Sequence, residues 1–225
     1  MSDKYEKQIL CLANSRKPFG RCVAGKEKSG VWIRPVSARP GGELSTQDRQ
    51  FGDGGDPQVG DILYVPLLGS QTHAYQVENH LINGSDRWRF QRKATWEEVI
   101  SVLDQVSGDL WGTGSSSYYG LNDRVTLNEA ANLGESLKLI LVEDLVIISH
   151  IEGGSLYPAK RRIRGNFSVN SFEYRLSITD PGLENTYSSG VDGEFNVGKA
   201  ALCISLSEPL DGVAYKLIAG MILPF

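Results

Sequence analysis

Apolar residues in this chain fall into short runs, not helical stripes. KQILCLA (7–13) reads as a first strand and GVWIRPV (30–36) as a second. Alternation in the second puts Val31, Ile33 and Pro35 on one side and Trp32, Arg34 and Val36 on the other. Pro35 suits a strand end or edge, because it cannot donate to a ladder. ELSTQDRQF (43–51) fits a short helix, and GDGGDPQVG (52–60) a turn-rich loop. DILYVPLL (61–68) is a strong strand, and HAYQVENHLI (73–82) alternates well enough for another. One segment has a helical period: in TWEEVISVLDQV (95–106), Thr95 and Glu98 stand at capping-box spacing and Trp96, Val99, Val102, Leu103 and Val106 share a face. The Gly/Ser-rich DLWGTGSSSYYGLND (109–123) then reads as an interdomain boundary or a mobile loop. Beyond it, SLKLILVEDLVIISHI (136–151) fits one long bent strand or two consecutive ones. RRIRGNFSV and SFEYRLSIT fit a hairpin that turns near residues 169–171, and AALCISLSEP and AYKLIAGMILP two closing strands. Roughly five strands in each half, short and turn-rich, suggest small barrels.

Composition narrows the setting. Hydrophobic residues at 40% and charged residues at 22% describe a folded globular chain, and 25 glycines with nine tyrosines lean towards β structure. Cys11, Cys22 and Cys203 are too few and too scattered for a disulfide framework and fit a reducing compartment. The polar start, MSDKYEKQ, lacks the apolar centre of a signal peptide, and no apolar run has a membrane span's length. A cytoplasmic, prokaryotic-style protein is expected, with no membrane partner.

The net charge of −4 is unevenly spread. Residues 14–39 carry seven Lys or Arg against one acid, and AKRRIR (159–164) adds four cations, so the remainder carries −14. A non-specific DNA binder has a broad basic field, and this chain has none. Any phosphate contact should therefore be local.

Several strings fall in a family's order: ILCLANSRKPFGRCVAGK, WIRPVS, QVENH and LW, then YRLSITDPGLENTY and ISLSEPLDGVAYKLIAG. Together they resemble the bacterial dual OB-containing domain family from about residue 8 to residue 222. The resemblance implies two tandem OB-like barrels, a role in nucleic-acid or nucleotide recognition, and a link to prokaryotic conflict or defence systems. It supplies no catalytic residue. The expected fold is mainly β, a β-rich α+β chain. A first OB-like barrel spans 1–92, a helical and Gly/Ser-rich connector 93–135, and a second OB-like barrel 136–225.

Candidate binding residues follow from the two basic stretches. Single-strand binding needs cations along phosphates and aromatic faces under bases. Arg16, Lys17, Arg21 and Arg34 supply the first, Trp32 or Phe19 the second, and Asn14 and Ser15 can bond a phosphate or a base edge. The plainer alternative is a solvated hairpin in which Asn14 and Ser15 hold a turn. In AKRRIRG, a buried Ile163 would turn Arg162 and Arg164 outward together, to clamp a phosphate or to protect a sheet edge. Gln76 and Glu78 share a strand face, where satisfying buried backbone is the favoured use. Asp180 before Pro181 suits a helix cap. His73 and His80 do not make a zinc pattern, GDGGD lacks the ligand spacing of a calcium loop, and a lone His150 after an apolar strand reads as structural. No P-loop, nucleophile elbow or HExxH is present.

The expected function is a non-catalytic module that binds single-stranded or structured nucleic acid, with no metal or cofactor and with another defence-system protein as a candidate partner. A nucleotide or modified-nucleotide sensor is the alternative, and a protein-interaction adaptor a further one.

Overall fold

β1 (Tyr5–Lys17), β2 (Gly20–Lys26) and β3 (Trp32–Val36) open the chain as an antiparallel meander, followed by α1 (Thr46–Arg49). β4 (Asp61–Ser70) and β5 (Asn79–Ile82) then return to the same sheet. The computed structural model describes residues 4–154, 158–188 and 190–225, so the first three residues of the polar N-terminal octet lie outside it. β1 pairs with β4 through Tyr5–Leu10 and with β2 from Leu10 onward, which closes a ring in the order β1-β2-β3-β5-β4. Only β3 and β5 run parallel within it. Such a ring is the five-stranded Greek-key barrel of an OB-fold, with α1 between its third and fourth strands. The Gly25 backbone makes the sharp turn of β1 possible, since a Cβ there would lie 2.3 Å from the Leu10 carbonyl oxygen.

β6 (Arg89–Lys93) adds to β4, and α2 (Trp96–Ser101), β7 (Arg124–Thr126) and α3 (Leu127–Ala130) lie in the connection to the second half. There β8 (Leu137–Glu152), β9 (Lys160–Val169), β10 (Phe172–Ile178), β11 (Gly193–Leu206) and β12 (Val213–Ile222) repeat the order. They form the ring β8-β9-β10-β12-β11, again with the third and fifth strands parallel. α4 (Pro181–Tyr187) occupies the position α1 has in the first ring. The β9–β10 turn uses Asn170 and Ser171 at φ 48° and 71°, the left-handed pair of a two-residue hairpin.

Continuous apolar runs are explained by burial on both faces. Along β1, Ile9 and Cys11 fill the first barrel, whereas Leu10 and Leu12 join a separate cluster with Leu137, Leu139, Ala201 and Cys203 of the second. That cluster is an apolar seam welding the barrels side by side. Gly220 lets β12 reach β1, because a Cβ at Gly220 would lie 2.1 Å from the Leu12 carbonyl oxygen.

Four sequence expectations change. The basic residues Asn14–Lys17 are part of β1, and the turn is only Pro18–Phe19. The strand expected over 73–82 is β5 alone, and residues 71–78 form the loop before it. The helix expected over 95–106 stops at Ser101, although its capping box is present. It ends because the Val102 carbonyl accepts from Lys26 and the Asp104 carboxylate accepts from Lys26, Trp32 and the Leu139 backbone, which draws the chain into the seam. Finally, the Gly/Ser-rich stretch 109–123 is packed on the second barrel. Leu110 and Trp111 enter that barrel's core, and Leu121 bridges to Arg175. No helix among the described residues is long and apolar enough to cross a membrane.

Candidate binding cleft between the barrels

An OB barrel binds with its second and third strands and with the loops after its first and fourth. In the first barrel those parts are Cys22 on β2, Arg34 on β3, Pro18–Phe19, and the loop holding Gln71, His73 and Gln76. All of them line one cavity of about 1040 Å³. In the second barrel they are Arg162 and Arg164 on β9, Ser177 on β10, and the loop Ser207–Leu210, which line the same cavity. The two barrels thus turn their binding faces onto a shared cleft.

Strand alternation decides what reaches it. Ile163 is buried inside the second barrel, so Arg162 and Arg164 face the cleft together. On β3, Trp32 and Arg34 share a face, yet only Arg34 lines the cleft. Trp32 is sealed in the apolar seam, with its indole donating to Asp104 at 3.1 Å and the Lys26 ammonium 5.0 Å from its ring. Its expected role as a stacking platform is therefore corrected: the ring is core. The exposed aromatic at the cleft is Phe19, 97% accessible at the β1–β2 turn.

The other expected residues divide in the same way. Ser15, Arg16 and Lys17 line the cleft. Asn14 and Arg21 are not among its lining residues: the Asn14 amide donates to the Pro57 carbonyl at 2.6 Å, and Arg21 pairs by its backbone with Leu44. The Asn14 side chain is thus structural and Arg21 lies outside the lining, which corrects the expectation that they line the cleft.

Most of the cations are already partnered, two of them across the barrels. Arg16 meets Glu184 at 2.6 Å and Lys17 meets Glu208 at 2.6 Å. Arg164 forks onto Glu152 at 2.6 and 2.9 Å. Six Lys or Arg line the cleft against three carboxylates, Glu43, Glu152 and Glu208, which leaves a modest positive excess in an acidic protein. Arg34 is different. It is 2% exposed, donates through Nη2 to Ser205 Oγ at 3.3 Å, and has no hydrogen-bond partner at Nε or Nη1 among the described residues.

Sequence reasoning missed part of the lining. Glu43, Glu152 and the Ser205–Leu210 segment reach the cleft only through the ring topology. Glu78 has the structural use the pattern favoured: its carboxylate accepts from the Ser136 amide at 2.5 Å and hydroxyl at 2.9 Å, tying the barrels together. Asp180 caps α4 through the Gly182 and Leu183 amides, and burial raises its carboxyl pKa despite those bonds and nearby Arg21. Among the described residues, no group of three or more His, Cys, Asp or Glu gathers as a metal cluster.

A family model described as the dual OB-containing domain matches residues 7–221. The chain belongs to that family. No curated protein and no solved structure matches it. As a dual OB chain it is an OB-type binding module, and the strings that carry the likeness bring Ser15–Phe19, Thr179 and Ser205–Leu210 to the cleft wall.

Proposed function

We propose that the protein is a non-catalytic nucleic-acid-binding module that seats single-stranded or unpaired nucleic acid in the inter-barrel cleft. The observation that carries this reading is the meeting of both OB binding faces at one cavity, with Arg16, Lys17, Arg34, Arg162 and Arg164 on its walls. Phosphates would lie along these cations, and Phe19 would stack on a base at the rim. The family resemblance supports a bacterial conflict or defence setting in the cytoplasm, with another protein of such a system as partner.

A nucleotide or modified-nucleotide ligand is the second reading. It is favoured by the three ion pairs that already neutralise Arg16, Lys17 and Arg164, since a long polyanion would have to compete with all of them. The test uses fluorescence anisotropy with short single-stranded oligonucleotides at several salt concentrations. Arg16→Ala with Lys17→Ala should weaken binding and flatten its salt dependence, because fewer counterions are released. Glu184→Gln with Glu208→Gln should strengthen binding by freeing the same cations. Unchanged affinity in both double variants removes the rim from the site. A thermal-shift screen of nucleotides against oligonucleotides separates the two ligand classes.

A further inference from the structure

The cleft has an apolar floor. On three strands, the residue that lines it follows, two positions on, a residue locked in the seam: Ala13 precedes Ser15, Trp32 precedes Arg34, and Cys203 precedes Ser205. Same-face neighbours on a strand lie about 7 Å apart. The floor of the cleft is therefore the apolar weld itself, and Arg34, 2% exposed, lies at that floor.

Two buried polar groups stand unpartnered at that floor. Arg34 leaves Nε and Nη1 without an acceptor, and Asn79, 4% exposed on the parallel neighbour strand, leaves Oδ1 without a donor. The Asn79 amide nitrogen is occupied by Gln76 Oε1 at 3.3 Å. Both residues line the cleft. A buried guanidinium without a counter-charge is costly, and an anion with hydrogen-bond acceptors relieves that cost. Presenting that edge to an arriving group requires Arg34 to leave its one side-chain bond, the 3.3 Å contact to Ser205.

Resting on the reading of the cleft as a nucleic-acid or nucleotide site, we propose that Arg34 and Asn79 form a seat for a phosphomonoester. The seat takes the phosphorylated end of a strand, or a free nucleoside monophosphate, and not an internal phosphodiester. An internal diester continues on both sides and needs a way out, whereas a terminal phosphate does not. A monoester also carries about −1.5 to −2 charge at neutral pH, which suits a single buried cation. Asn79 Oδ1 accepts a hydroxyl or amino hydrogen from the same nucleotide.

The test compares hexanucleotides bearing a 5′-phosphate, a 3′-phosphate or neither, alongside nucleoside 5′- and 3′-monophosphates, by calorimetry on the full chain. One phosphorylated end should bind about tenfold or more tighter than the hydroxyl end. Arg34→Gln should erase that preference, weakening the phosphorylated hexamer by more than the unphosphorylated one until the two bind alike. Arg34→Lys, which keeps the charge but loses the fork, should retain part of the preference. Asn79→Asp, which places a carboxylate in the seat, should erase it too. Thermal unfolding checks that each variant is folded. A monophosphate that binds as tightly as the matching hexamer identifies a free nucleotide as the source, and a tighter hexamer identifies a strand end. Hexamers that bind with no end preference overturn the seat and leave the cleft reading standing. If neither hexamers nor monophosphates bind, both readings fall.

Discussion

Lys216 shows at single-residue scale how the second barrel carries a cost at its centre. Its side chain is fully buried, donates to the Gly112 carbonyl at 2.5 Å and lies 5.3 Å from the Tyr174 ring. Burial lowers its pKa from 10.5 to about 8, against the pull of Asp109, Asp123 and Glu129. Between those two values the unfolded chain binds the proton more tightly than the folded one, so this group makes stability rise with pH in that window. Below about 8 the lysine is charged in both states and the cost of burying the charge is fully present. Lys216→Met removes the linkage. The urea midpoint of the native protein should therefore gain on that of Lys216→Met between pH 7 and pH 9.5, and a constant difference would refute the assignment.

At the scale of elements, α4 links local capping to the cleft. Asp180 caps it, Pro181 opens it without wasting a donor, and Glu184 in its first turn holds Arg16 of the other barrel. The cap works through Oδ1, which accepts from both the Gly182 and Leu183 amides, and an asparagine keeps that acceptor. Asp180→Ala should cost about 1 kcal/mol in chemical denaturation, and Asp180→Asn should restore most of it. If Asn and Ala cost the same, the cap is not what orders the helix. α2 teaches the complementary lesson. Its capping box and periodicity start the helix on schedule, but contacts with Lys26, Trp32 and Leu139 end it early.

Across the whole molecule, the weld between barrels determines whether a cleft exists. It uses strands buried on both faces and a close approach of β12 to β1 at Gly220. Gly220→Val would drive a side chain into the Leu12 backbone. The barrels should then part: thermal stability falls, small-angle scattering reports a larger radius, and oligonucleotide binding is lost even though no cleft residue has changed. A variant that binds normally would show that one barrel suffices.

Residue pattern alone identified the strand-rich barrels, the caps at Thr95 and Asp180, and the paired outward facing of Arg162 and Arg164, because alternation and capping depend on neighbours a few residues away. It also located both basic stretches that meet in the cleft. Three matters needed the tertiary structure. In sequence Trp32 is a stacking candidate that is more often core, and only the tertiary structure seals it in the seam. Arg16 and Lys17 look unpaired, and only distant folding supplies Glu184 and Glu208. Arg34 is one arginine among many until the weld buries it at the floor with Nε and Nη1 unpartnered among the described residues. Pairing across more than 150 residues and burial between two barrels are global properties, and no local period in the chain encodes them.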